Sequence, residues 1–82
     1  MSPTMAQILE AGRQRAGLSN RDLWIGYCSL GGMTGPDTMD AYLLGDAIPD
    51  HVEYDVIAQA LNDSFVDAGG NHPVPYAENL RP

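Results

Sequence analysis

The sequence predicts an all-α protein: a small bundle of four to five short helices with an extended, Pro-rich C-terminal tail. Three observations predict it. Apolar residues recur at three- and four-residue spacing in four stretches, and no strand-like alternation of any length occurs. Each stretch follows a Ser, Thr or Asp of the kind that caps helix starts, and each runs into glycine, which ends helices. The last stretch, NHPVPYAENLRP, holds Pro73, Pro75 and Pro82, which favour extended backbone over helix.

The first helix is expected to open at Ser2-Pro3, with Ser as N-cap and Pro in the first helical position. Met5, Ile8, Leu9, Gly12 and Ala16 then share one face, and Gly17 ends the helix. Ser19 and Asp22 have capping-box spacing for the second helix, with Leu18 and Leu23 placed as a hydrophobic staple. Leu23, Trp24, Tyr27 and Cys28 recur on its apolar face, and Gly31-Gly32 stops it. Thr34 and Asp37 repeat the cap spacing for a third helix from about residue 35 to 44, with Pro36 in its first turn and Met39, Tyr42 and Leu43 inward. Asp50 and Glu53 mark the fourth start; Val56, Ile57, Ala60, Leu61 and Phe65 form its stripe, and Gly69-Gly70 closes it. The chain thus divides into a helical domain, residues 1–70, and a tail, residues 71–82. Such a tail either remains unordered, packs across its own domain, or binds a partner's groove through Val74 and Tyr76.

Composition narrows the function classes. A chain of 82 residues buries only about 60–65% of its unfolded surface, so one modest core is expected. The single cysteine allows no internal disulfide framework and suits a reducing compartment. The opening MSPTMAQILEAGRQR lacks the apolar core of a signal peptide, and no apolar run is long enough for a membrane span, so the expectation is a cytoplasmic protein. Charge is distributed unevenly. Residues 1–30 set Arg13, Arg15 and Arg21 against Glu10 and Asp22, whereas residues 31–82 set nine acids against Arg81, and the whole chain carries −7. Duplex DNA would repel the second half, leaving only the Arg13–Arg21 region to face phosphate. The acidity either keeps a small protein soluble or meets a basic partner.

The order of elements resembles the phage-repressor (Xre/Cro) type of helix-turn-helix. The matching residues are Arg13, Gly17-Leu18-Ser19 and Leu23, then Tyr42, Gly45 and Pro49, then Ile57-Ala58 and Ala60-Leu61. This resemblance covers roughly residues 6–62 and implies a DNA-reading scaffold, but the chain departs from it in three places. Trp24 stands where that family carries a small residue that lets two helices pack closely. The spacing from Ser19 to Thr34 is about one turn longer than usual for that family. The third helix, GPDTMDAYLL, which would enter the major groove, carries Asp37 and Asp40 and none of the Arg, Lys, Asn or Gln that read bases. A closer resemblance is to short acidic actinobacterial proteins of unassigned function. It rests on Gly17-Leu18, Asp22-Leu23-Trp24, Tyr27, Leu30-Gly31-Gly32, Ala41-Tyr42-Leu43, Gly45 and the stretch from Tyr54 to Asn62. It implies a small regulatory or adaptor role.

Catalytic and metal chemistry have little support. Cys28 lies on the presumed core face without a base at hand. His51 and His72 lack a partner at zinc-ligand spacing, with His51 expected on the exposed first turn of the fourth helix. Asp46, Asp50 and Glu53 lack the calcium-loop pattern, and Gly31-Gly32 and Gly35 lack the lysine of a phosphate loop. Asp37 and Asp40 have no cleft to act as an acid/base pair. No catalytic residue, cofactor or metal is expected. Partner contact is assigned to Arg13, Arg15, Arg21, Trp24 and Tyr76, with Trp24 open between core and interface. The leading expectation is a non-enzymatic regulatory protein-interaction module, linked to transcription through a protein partner. The alternatives are a DNA-binding regulator docking through the Arg13–Arg21 side, and a homo-oligomeric structural or antitoxin-like protein, such as a homodimer, whose tail reaches its neighbour.

Overall fold

The computed structural model describes residues 3–80. Four α-helices follow one another: α1, Met5–Ala16; α2, Asn20–Ser29; α3, Pro36–Leu44; and α4, His51–Asp67. A single 3-10 turn, Ala77–Leu80, interrupts the tail. The 17-residue α4 is the centre of the bundle: α1 and α2 both pack on it, and each of them also packs on α3. Leu9, Leu23, Tyr27, Met39, Tyr54, Ile57 and Leu61 fill the space between the four helices.

Local signals account for most helix ends. Ser19 Oγ accepts from the Asp22 backbone N–H at 3.0 Å, and Asp50 Oδ1 accepts from that of Glu53 at 2.8 Å, so both caps form as their spacing predicts. Gly45 ends α3 at φ 85°, a left-handed conformation that costs a side-chain-bearing residue about 1 kcal/mol or more. Two starts differ from expectation. The Ser2 cap lies outside the described residues, and α1 begins later, at Met5. Its cap is Thr4, which forms a full capping box with Gln7: the Gln7 N–H donates to Thr4 Oγ1 at 3.1 Å and the Thr4 N–H to Gln7 Oε1 at 2.8 Å. Pro3 therefore precedes the helix. The second correction is at α3, whose N-cap is Gly35 with no side-chain bond, because the Thr34 hydroxyl is committed elsewhere.

Trp24 neither enters the core fully nor splays the helices. It is half-buried, and its indole N–H donates to the Thr34 carbonyl at 2.8 Å, pinning the α2–α3 connection. Close approach of α2 to α4 is achieved at Gly26, where a methyl group would already lie 3.7 Å from Ala60 Cβ. Two residues apart on a helix is about 200°, so Trp24 and the contact point lie on different sides.

Gly32 sits against the face of the buried Tyr27 ring, and any Cβ there would overlap it. The ring cannot yield, since its hydroxyl is hydrogen-bonded on two sides. Gly32→Ala is therefore expected to cost about 2 kcal/mol through overpacking. Urea unfolding monitored by circular dichroism measures it against the wild-type chain.

The tail packs across its own domain. Asn62, fully buried on α4, donates through Nδ2 to the Val74 carbonyl at 2.9 Å and accepts the Val74 N–H on Oδ1 at 3.0 Å. Val74 is buried beside α1, where a methyl on Gly12 would stand 3.1 Å from its Cγ2. Tyr54 donates to the Pro75 carbonyl at 2.7 Å, and the Ala77 N–H donates to Asp55 at 2.8 Å.

Candidate interaction surface

The five residues assigned to partner contact take up separate neighbours. Arg13 is half-buried and tied inward: Nε and Nη2 grip the two Glu10 carboxylate oxygens at 2.7 Å each, and Nη1 donates to the Leu18 carbonyl at 2.7 Å. That fork holds the turn from α1 into α2, and the guanidinium keeps the Glu10 carboxyl below its ordinary range. Arg15, on another side of the helix, is exposed and stands 5.9 Å from the Phe65 ring centroid, a cation–π distance. Arg21 is exposed in the first turn of α2 and makes no side-chain hydrogen bond or ion pair among the described residues. Tyr76 is half-buried and donates to Gln59 Oε1 at 2.9 Å. The arginines thus do not line one basic face, and three of the five predicted residues have internal hydrogen-bond duties.

The polar centre of the molecule is Glu53, which the sequence marks only as a cap partner. Its Oε1 accepts from the Tyr27 hydroxyl at 2.6 Å; its Oε2 accepts from the Thr34 hydroxyl at 2.6 Å and the Tyr42 hydroxyl at 3.2 Å. The Tyr27 oxygen accepts in turn from the Thr34 N–H at 3.0 Å. One carboxylate therefore joins α2, the α2–α3 connection, α3 and α4. Burial, and then the neighbouring Glu53 charge, raise the Tyr42 pKa. The arrangement is saturated with its own partners, and no buried side-chain polar atom among the described residues is left without one. It offers no free nucleophile or acid/base pair.

Tyr54 is fully buried, and burial, then the Asp55 charge, push its pKa up to about 12. The folded state holds this proton to higher pH than the unfolded chain, whose tyrosines release it near about 10. Stability is therefore fully present below pH 10 and falls as pH rises toward 12. Chemical-denaturation midpoints between pH 9 and 12 check this, and Tyr54→Phe is expected to flatten the decline.

The outer side of α3 carries Asp37, Thr38 and Leu44 to solvent, whereas Asp40 accepts from Asn20 Nδ2 at 3.0 Å. His51 and His72 are both exposed, and Cys28 is half-buried against the core. Among the described residues no three His, Cys, Asp or Glu side chains are grouped as metal ligands are, and no helix is long and apolar enough to cross a membrane.

A groove of about 610 Å³ with a mixed apolar and polar lining lies between the outer face of α1 and the α3–α4 connection. Ala6, Gln7 and Ala11 form one wall; Leu44, Ala47 and Ile48 form the other. Leu44 is 75% and Ile48 85% exposed, both unusually open for large aliphatic side chains. Ala6 and Ala11 lie off the apolar stripe that the sequence shows on α1, so the wall they form appears once α3 is brought alongside. No protein-family model, curated protein or solved structure matches the chain.

Proposed function

We propose that the chain is a non-enzymatic regulatory module that works by binding another protein, linked to transcription through that partner rather than by reading DNA itself. The observation that carries this reading is the apolar groove with Leu44 and Ile48 open to solvent, beside an α3 that presents carboxylates and no cation. Exposed aliphatic residues at a preformed groove favour protein contact. Repulsion of phosphate by the acidic second half disfavours DNA. Arg13, engaged with Glu10 and Leu18, is withdrawn from any phosphate-facing set.

The test pairs affinity capture from cytosolic lysate, read by mass spectrometry, with a low-salt DNA titration. A protein that binds the purified chain stoichiometrically, with no specific DNA complex, supports the reading. A nanomolar DNA complex that weakens with salt and with Arg15→Ala/Arg21→Ala would replace it with the DNA-binding alternative. A concentration-dependent dimer that dissociates when residues 71–82 are removed would replace it with the homo-oligomeric one.

A further inference from the structure

We infer that the groove between α1 and the α3–α4 connection receives a basic amphipathic helix of the partner. This deepens the interaction-module reading and rests on it.

Shape supports a helix. The α1 wall runs from Thr4 to Gln14, about 15 Å at helical rise, which matches nearly three turns of a docked segment. Ala6 and Gly45 meet where α1 packs on α3, a Cβ on Gly45 standing 3.6 Å from that of Ala6, and with Ala11 and Ala47 also short, a helix laid over this contact can approach to the 8–10 Å typical of packed helices, roughly. Leu44 and Ile48 then close over an apolar stripe at i, i+3/i+4 and i+7, the helix-in-groove mode of recognition. Recognition by strand addition would need a sheet edge to pair with, and the described residues contain no strand.

Charge selects the sign. Asp46 and Asp50, both exposed, bracket the Ala47-Ile48-Pro49 segment that forms the second wall. Asp50 spends one oxygen on its helix cap, and Asp46 makes no side-chain hydrogen bond among the described residues. The only ion pair among the described residues is Glu10–Arg13, so ten of the eleven carboxylates, Asp46 and Asp50 included, have no cation paired with them there. Lysines or arginines flanking the partner's apolar stripe meet these carboxylates at the rim, where they raise the association rate as well as the affinity. A second copy of the chain would bring like charges together at the same rim, which argues against self-association through the groove.

The probe is a designed 18-residue peptide with a leucine stripe at helical spacing and lysine elsewhere, titrated into the ¹⁵N-labelled full chain. Saturable shifts are expected at the amides of Ala6, Ala11, Leu44 and Ile48, with affinity falling as salt is raised. Leu44→Ser/Ile48→Ser, exposed positions whose melting temperature is checked first, is expected to weaken binding at least tenfold. Asp46→Asn/Asp50→Asn keeps a competent cap at residue 50 and is expected to weaken it severalfold. Equal binding of a leucine/glutamate peptide or of a shuffled leucine/lysine peptide without the stripe would overturn the assignment, as would shifts confined to another face. A dimer in sedimentation that the serine double variant abolishes would assign the groove to a second copy instead. The lysate partner separates this inference from the broader reading. If the serine double variant retains the partner captured by the wild-type chain, the groove assignment falls and the interaction module stands. If it loses that partner while keeping the wild-type fold, the groove assignment is supported.

Discussion

Glu53→Ala is expected to be as damaging as truncating a core side chain, although Glu53 is itself only half-buried. It leaves the hydroxyls of Tyr27, Tyr42 and Thr34 without their acceptor, and the Tyr27 side chain is fully buried. An abandoned buried hydrogen-bonding group costs about 1–3 kcal/mol, so a loss of about 3–4 kcal/mol is expected. For a domain of this size that lowers Tm by roughly 15 °C or more, a large part of the 5–15 kcal/mol or so that holds ordinary domains together. Glu53→Gln keeps one acceptor oxygen and is expected to lose about half as much. Scanning calorimetry on both variants measures the difference. A cycle with Tyr27→Phe isolates the Tyr27–Glu53 bond, and coupling near zero would show that the carboxylate does not hold α2 to α4.

Asn62→Ala is the second large effect. The Asn62 amide is the hydrogen-bond partner of both the N–H and the carbonyl of buried Val74, as a neighbouring strand would be. Its removal strands two backbone groups at a position too enclosed for easy rehydration, at a cost of about 2–4 kcal/mol. Hydrogen exchange is expected to accelerate first at Val74 and Ala77, ahead of the helical amides. Asn62→Asp provides the sharper control. It preserves the acceptor for the Val74 N–H but sets an oxygen against the Val74 carbonyl, and is expected to be as harmful as alanine. A mild Asp variant would mean that the tail docks through Val74 and Tyr54 without the amide.

The helices were readable because their signals are local. Ser19 and Asp50 bond three residues ahead, and Gly17, Gly45 and Gly69 adopt the left-handed conformation just past a helix end. Reading erred where two residues competed for one local role. Thr4 is the α1 cap because Gln7 stands at the right distance to return its bond. Thr34, with cap spacing to Asp37, instead gives its hydroxyl to Glu53, 19 residues on. Long-range choices of that kind leave no periodic trace. Glu53 looked like a surface cap partner, yet its carboxylate meets Tyr27 across 26 residues and Tyr42 across 11. The clue, in retrospect, is chemical: tyrosines on apolar faces need acceptors for their hydroxyls, and a carboxylate on the facing helix satisfies several at once.

The candidate surface was less legible than the fold for the same reason. Arginine and tryptophan are frequent at interfaces, but the Arg13 and Trp24 side chains both donate to backbone carbonyls of their own chain, Leu18 and Thr34. The groove is made by juxtaposition. Ala6 and Ala11 lie on the side of α1 that looks unremarkable in sequence, and Ile48 sits in a connection with no periodicity. Only the packing of α1 against α3 gives them a common purpose.

The docking of Val74 against Gly12 has a consequence for how the protein is made. Those positions are 62 residues apart, and the contact reaches the first helix from the far side of the last one. During synthesis, α1, α2 and α3 can leave the ribosome and begin to associate, but the groove beside Gly12 on α1 and Asn62 on α4 stays open until Val74 and its neighbours emerge from the exit tunnel. At about 5–20 residues per second that interval is short, yet throughout it the nascent chain exposes the apolar surfaces that Val74 and Ala77 later cover. The packing of α1 against α4 is thus complete only once the segment from Val74 to the Ala77–Leu80 turn is free to dock. A stall before residue 74 would hold the chain in an open form accessible to chaperones.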